Sequence, residues 1–202
     1  MDRYSDYENA VLLLDLTEGN SLEEVNGDRS DEVKSLMKNR ENWIHNDYKS
    51  FLDSIGGKHP EFLSKYTEDQ LKDRKVDTYQ LRGFNIGFGL KKVDDGNVDI
   101  ILVHNSEDDV HGIADDLLNV IKKFGGTQLD HFEGKLSDIY ERNGFVEYRR
   151  EKWNDKYAPE GWDYSEYGKP DIVYRRLEIK ENTSRRKRKR YKLLRKKVQK
   201  VS

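Results

Sequence analysis

The sequence predicts an α/β domain of the α+β kind: a mixed, mainly antiparallel central sheet flanked by helices. Three stretches carry that expectation. Between Phe84 and Leu90, apolar residues alternate with glycine and asparagine, and Asp95-Gly96 joins this run to a second one, Val98 to His104. Alternation is the period of a strand, and Asp-Gly is a hairpin turn, so the two runs form an antiparallel pair. From His111 to Phe145 the chain then reads as helix, strand, helix. Upstream, an apolar stripe from Val33 to Ile55 keeps a helical spacing.

Taken in order, residues 1–29 form an N-terminal strand and link. Ala10 to Leu16 (AVLLLDL) has the length of a buried strand, although periodicity leaves a helical turn open. Ser21 with Glu24 has capping-box spacing. Residues 30–183 form the main domain. It opens with a long helix running to Gly56-Gly57, Ser30 as its N-cap, Asp31 and Glu32 in its first turn, and Val33, Leu36, Met37, Trp43, Ile44, Tyr48, Phe51, Leu52 and Ile55 on one face. That face packs a core, or else lines a groove with Trp43 and Tyr48. A short helix from Pro60 through Tyr66 follows, then another capped by Thr67 with Gln70.

In the Phe84–Leu90 strand the glycines share one face, which suits close approach by another backbone or a ligand. After the hairpin, Ile113, Leu117, Val120, Ile121 and Phe124 give the next helix its stripe, and Gly125-Gly126 stops it. Thr127 to Phe132 is a strand. Leu136, Ile139 and Tyr140 mark a short helix ended by Gly144, and Phe145 to Arg150 is another strand. A loop rich in tryptophan and tyrosine follows, Trp153 to Asp171, whose rings fold back over the core or form a lid.

Composition narrows the chemistry. There is no cysteine, which excludes disulfides, thiolate metal sites and a cysteine nucleophile, and fits a reducing cytoplasm. The five histidines show no metal-ligand spacing, and no apolar run approaches the ~18–20 residues of a membrane span. The formal net charge of −2 hides an asymmetry. Residues 184–202 carry eleven of the 37 Lys/Arg and no acid, leaving 26 bases against 39 acids elsewhere.

Strand, loop, Gly112-Ile113-Ala114 helix, strand, and a short helix ending Tyr140-Glu141-Arg142-Asn143-Gly144-Phe145 together resemble the core of the GNAT (N-acetyltransferase) superfamily, over about residues 81–150. Trp153 to Leu177 is similar to a divergent variant of that fold found in phage-encoded proteins, and the resemblance implies that Ile172 to Leu177 is the last strand. The resemblance implies an acetyl-CoA-dependent N-acyltransferase that transfers an acetyl group to an amine. Backbone N–H groups of Val110, His111, Gly112, Ile113 and Ala114 would cradle the cofactor's pyrophosphate at a helix N-terminus. Tyr140 falls where the family has a tyrosine that protonates the departing thiolate, with His104 and Glu133 as candidates for the base. Asp99, Asp130 and His131 also lie on candidate strands. The match departs from the family's pattern at the loop. Asp109 stands where the family has Arg or Gln, Val110 stands where it has glycine, and Glu107, Asp108, Asp115 and Asp116 add negative charge.

That departure supports the alternative of a catalytically inactive binding or structural protein of phage type. The tail belongs to this second reading. Arg185, Arg186, Lys187, Arg188, Lys189, Arg190, Lys192, Arg195, Lys196 and Lys197 suit nucleic acid or an acidic protein partner, with Tyr191, Leu194, Val198 and Val201 near helical spacing.

Overall fold

The computed structural model describes residues 28–56, 63, 65–159 and 161–178. The expected strand at Ala10–Leu16, most of the Pro60–Tyr66 helix and the basic tail lie outside the described residues.

Seven strands form one sheet: β1 (Trp43–His45), β2 (Val76–Leu81), β3 (Ile86–Lys92), β4 (Val98–Asn105), β5 (Gln128–Phe132), β6 (Phe145–Glu151) and β7 (Ile172–Leu177). Their spatial order is β1-β2-β3-β4-β5-β7-β6, and every pairing is antiparallel except β4 with β5. The parallel pair needs a crossover, and α4 (Ala114–Phe124) supplies it. The sheet is mixed and mainly antiparallel, as expected from the sequence.

Helices cover both faces. On one, α1 (Ser30–Met37), α4 and α5 (Leu136–Arg142) bury Val33, Met37, Ile113, Leu117, Ile121, Leu136, Ile139 and Tyr140 against Phe88, Ile100, Val103 and Leu129. On the other, α2 (Tyr48–Ser54) and α3 (Glu68–Asp73) bury Phe51 and Leu71 against Val76, Ile101 and Leu102. A four-residue helix, α6 (Tyr164–Tyr167), lies in the loop between β6 and β7.

One expectation is overturned. The long helix over residues 30–55 is instead α1, a single 3-10 turn, β1 and α2. Asparagine and aspartate break it, because their side chains bond local backbone and offer it an alternative to the helix. Asn39 accepts from the Glu41 N–H, and Asn42 Nδ2 donates to Leu36 O at 2.9 Å. Asn46 takes a left-handed φ of 56° while its Oδ1 accepts from Thr78 N–H at 2.9 Å. Asp47 then caps α2 through Ser50 N–H. Trp43 pairs with Leu81 in the sheet, and its indole donates to Met37 O at 3.0 Å. The aromatic face is therefore core, with Trp43 edge-on to Phe88 at 5.1 Å.

The Thr67–Gln70 capping box is present at α3, and Gly125 ends α4 at φ 107°. The bare face of β3 is explained by what lies on it. A Cβ at Gly87 would sit 2.7 Å from His104 Cε1, 2.8 Å from Tyr79 O and 2.9 Å from Phe51 Cε2. The approach at that face is made by α2 and by the flanking strands β2 and β4.

Candidate functional site

Strands β4 and β5 are joined at one end and part towards the other. Thr127 N–H donates to Val98 O at 2.9 Å, and Asp99 opposite Gln128 is the single paired position between them among the described residues. The parting is prepared inside β4. Gly87 of β3 pairs with His104 and Gly89 with Ile101, so Phe88 alone faces both Leu102 and Val103. Leu102 is the extra residue, at φ 52°. A bulge of this kind bends its strand away from a neighbour.

Tyr140 of α5 lies beside the parted strands. It is fully buried, its ring tilted against the His131 ring of β5 at 4.9 Å and edge-on to Phe145 at 6.1 Å. Its hydroxyl has no hydrogen-bond partner among the described residues. An unmet buried hydroxyl costs roughly 1–3 kcal/mol, so the position demands another explanation than packing. Burial pushes the phenol's pKa far up, the Asp130 carboxylate pushes it the same way, and the Arg175 guanidinium opposes them.

The loop leading into α4 is clasped by the start of α1. Arg29 Nε donates to Asp109 Oδ2 at 2.6 Å, and Nη2 donates to Glu107 Oε2 at 2.8 Å and Asp109 Oδ1 at 2.9 Å. The hydrogen bond from Arg29 holds the Asp109 carboxyl below its ordinary range. His111 N–H donates to Ser30 Oγ at 2.7 Å. Val110 and Ile113 are fully buried anchors, and Ala114 is 4% exposed. Gly112 between them has φ 61° and open space where a side chain would stand. No side chain caps the α4 N-terminus.

Asp115, in the first turn of α4, is also engaged. Arg142 Nε and Nη2 each reach it at 2.9 Å, and Asn143 Nδ2 donates to it at 2.5 Å. Arg142 draws its pKa down. This ties the Glu141-Arg142-Asn143 end of α5 to the start of α4. The negative charge that the sequence places around the loop is thus answered at Glu107, Asp109 and Asp115 by Arg29 and Arg142. Arg29 lies about eighty positions upstream of its partners, and nothing local announces it.

The remaining candidates are scattered. His104 is 4% exposed, with Nδ1 at 3.0 Å from Leu102 O and Nε2 at 2.9 Å from Ser54 Oγ. Burial brings its pKa down to about 4. Glu133 pairs with Arg150 at 2.6 Å, in a surface network that continues through Glu147 and Asp171. The structure does not bring His104 or Glu133 together with Tyr140. It does bring His131 and Arg175 there. Asp130 is the one buried carboxylate among the described residues, and its charge reaches Tyr140.

On the sheet face opposite α5, Asp99, Gln128, Asp130, Tyr148, Tyr174 and Arg176 line a groove of about 330 Å³. The β6–β7 loop packs Trp162 onto Phe132 at 4.9 Å and onto Trp153 at 4.8 Å, and Trp162 is buried, so these rings cover core surface. Among the described residues no cluster of three or more ligands could hold a metal, and no helix is long and apolar enough to cross a membrane.

No family model matches the sequence, and no curated protein matches it. Among solved structures the chain is similar to an N-acetyltransferase from Staphylococcus aureus Mu50. The identity is 12% and the TM-score 0.41, over 67% of this chain and 97% of that one.

Proposed function

We propose that the protein is an acyl-CoA-dependent N-acyltransferase that moves an acetyl group to an amine. The observation that carries this reading is the orphaned, fully buried hydroxyl of Tyr140 beside strands that part after one paired position. A phenol without a partner is a donor kept for something not otherwise present, and a departing thiolate is a strong acceptor for it. Acetyl-CoA fits the surrounding residues. Gly112 to Ala114 would hold its pyrophosphate with backbone N–H groups at the uncapped end of α4, where the helix dipole favours an anion. Arg29 and Arg142 offset the carboxylates that would repel it. Bound there, the cofactor supplies the activated acyl group.

In this reading Tyr140 is the acid. His104 is structural, since both its ring nitrogens are engaged inside the protein, and so is Glu133, bound to Arg150. Asp130, bordering the groove on the far face of β5, is the carboxylate we assign to the acceptor amine's side.

Calorimetric titration with acetyl-CoA tests the cofactor. Binding should be measurable and should raise the melting temperature by mass action. No heat and no shift at millimolar cofactor would exclude the reading.

We assign the tail a separate role in sequence-independent contact with nucleic acid, from its eleven Lys/Arg without an acid. Affinity for DNA or RNA should fall steeply with salt. It should also disappear when the tail's arginines and lysines are changed to glutamine. Binding that survives both treatments would remove that role.

A further inference from the structure

We propose that Arg175 is a positioning residue for Tyr140: its buried guanidinium, bonded to His131, fixes the imidazole against the ring of Tyr140 and brings a positive charge to the neighbourhood of the phenol that serves as the acid. The inference rests on the acyl-transfer reading and names a part of that site which no motif announces.

Arg175 lies on β7 and is 5% exposed. Buried cations are ordinarily paired with carboxylates, because the desolvation cost is otherwise unmet. This one meets neutral acceptors. Its Nε donates to His131 Nε2 at 3.0 Å, and its Nη1 donates to Phe145 O at 3.1 Å. No carboxylate lies within ion-pair distance of it among the described residues.

The tautomer of His131 is set from both sides. Nδ1 lies 2.7 Å from Phe132 O and donates to it, so Nε2 keeps its lone pair for Arg175. Burial brings the imidazole's pKa down to about 4, and the nearby Arg175 also opposes a second proton. The positive charge of the pair therefore stays on the guanidinium. The same imidazole ring lies 4.9 Å from the ring of Tyr140. His131 is thus the bracket between the buried guanidinium and the ring of Tyr140.

The groups that face Tyr140 act in opposite directions. From β5, Asp130 resists ionisation and neutral His131 contributes only its ring. From β7, Arg175 favours ionisation. From β6, Phe145 is apolar, and Glu147 and Arg150 act on His131. Tyr140 is deeply buried, and burial alone would make its proton hard to lose. Once the acceptor amine's nitrogen had bonded to the acyl carbon, the carbon–sulfur bond would break with its electron pair leaving on sulfur, and Tyr140 would give its Oη proton to that sulfur. The proton released from the acylated amine would then return to the phenolate. Among the described charges that act on Tyr140, Arg175 favours the intermediate anion.

The test reads the phenol directly. A polyfluorinated tyrosine, whose phenol ionises several pH units below that of tyrosine and so within the range where the protein stays folded, is placed at position 140 of the full-length protein, without cofactor, and its ionisation is followed by fluorine NMR against pH. Arg175→Met, which removes the buried charge and leaves an apolar chain of similar length, should raise the midpoint by about one pH unit, a tenfold change. Arg175→Lys should hold it near the parent value. Arg175→Gln is the second neutral variant, should the methionine disturb folding. An unchanged or lowered midpoint in the neutral variants overturns the proposal. So does an equal rise with lysine, which would assign the effect to packing. Because the readout needs no thioester, a rise without any acetyl transfer would leave the role of Arg175 standing and sink the acyltransferase reading. Transfer without a rise would do the reverse.

Discussion

Single side chains show where this fold is tight and where it is unfinished. Replacing Tyr140 by phenylalanine removes an unmet buried hydroxyl, so the cofactor-free protein should gain stability, by up to about 1–3 kcal/mol in urea unfolding. Acetyl transfer should fall sharply in the same variant. Opposite signs in the two measurements mark a group retained for chemistry, whereas a loss of stability would mark it as packing. Gly87 is the contrasting case. Its missing Cβ would meet backbone and ring atoms under 3.0 Å away, so Gly87→Ala should destabilise by roughly 1–3 kcal/mol, read by the same unfolding. Gly83, at φ 81° with nothing within 4 Å, should cost only its backbone strain when changed to alanine, about 1 kcal/mol.

The parts of the site are held by elements that reach across the sequence. α1 clasps the loop before α4 through Arg29 and Ser30, and the end of α5 holds the first turn of α4 through Arg142 and Asn143. Changing Arg29 to glutamine releases Glu107 and Asp109 towards the α4 N-terminus. It should weaken acetyl-CoA binding several-fold in calorimetry, and more so at low salt, where screening is weakest. Equal affinity at every salt concentration would show that Arg29 only shapes the loop.

The same contrast decides what the sequence could reveal. The β3–β4 hairpin, α4, β5, α5 and β6 stand where alternation, helical stripes and glycine stops place them, because each is a local pattern. The supposed long helix failed at Asn39, Asn42, Asn46 and Asp47, local signals outweighed by a run of apolar spacings that a short strand satisfied equally well. β2 has no alternating pattern in the sequence, because nearly every residue in it is buried. Of the candidate site, Tyr140 and Gly112 can be picked out from the sequence. Arg29, Arg175 and the tautomer of His131 depend on contacts made across the fold, and no spacing encodes them.

For the molecule as a whole, two buried histidines set an acid limit. The folded pKa of His104 and of His131 is about 4, below the ordinary value of about 6.5 that each has in the unfolded chain. Burial is the main cause in both. Between those values the unfolded chain binds a proton that the folded one refuses, so stability is complete above about pH 6.5 and falls as pH drops towards 4. A shift of that size corresponds to at most roughly 3 kcal/mol for each group, to be set against the ~5–15 kcal/mol of a typical domain. Paired carboxylates such as Asp109 and Asp115 act the same way at lower pH, since their folded values are depressed and their contribution is lost only as they protonate. The protein should therefore unfold at clearly lower urea concentration at pH 5 than at pH 7. His104→Gln, which keeps a hydrogen-bonding side chain beside Ser54 and removes one titration, should flatten that dependence by about half. An unchanged slope would mean that His104 takes up its proton without leaving the core. In that case Leu102 O and Ser54 Oγ, its two acceptors, would be holding an imidazolium in place.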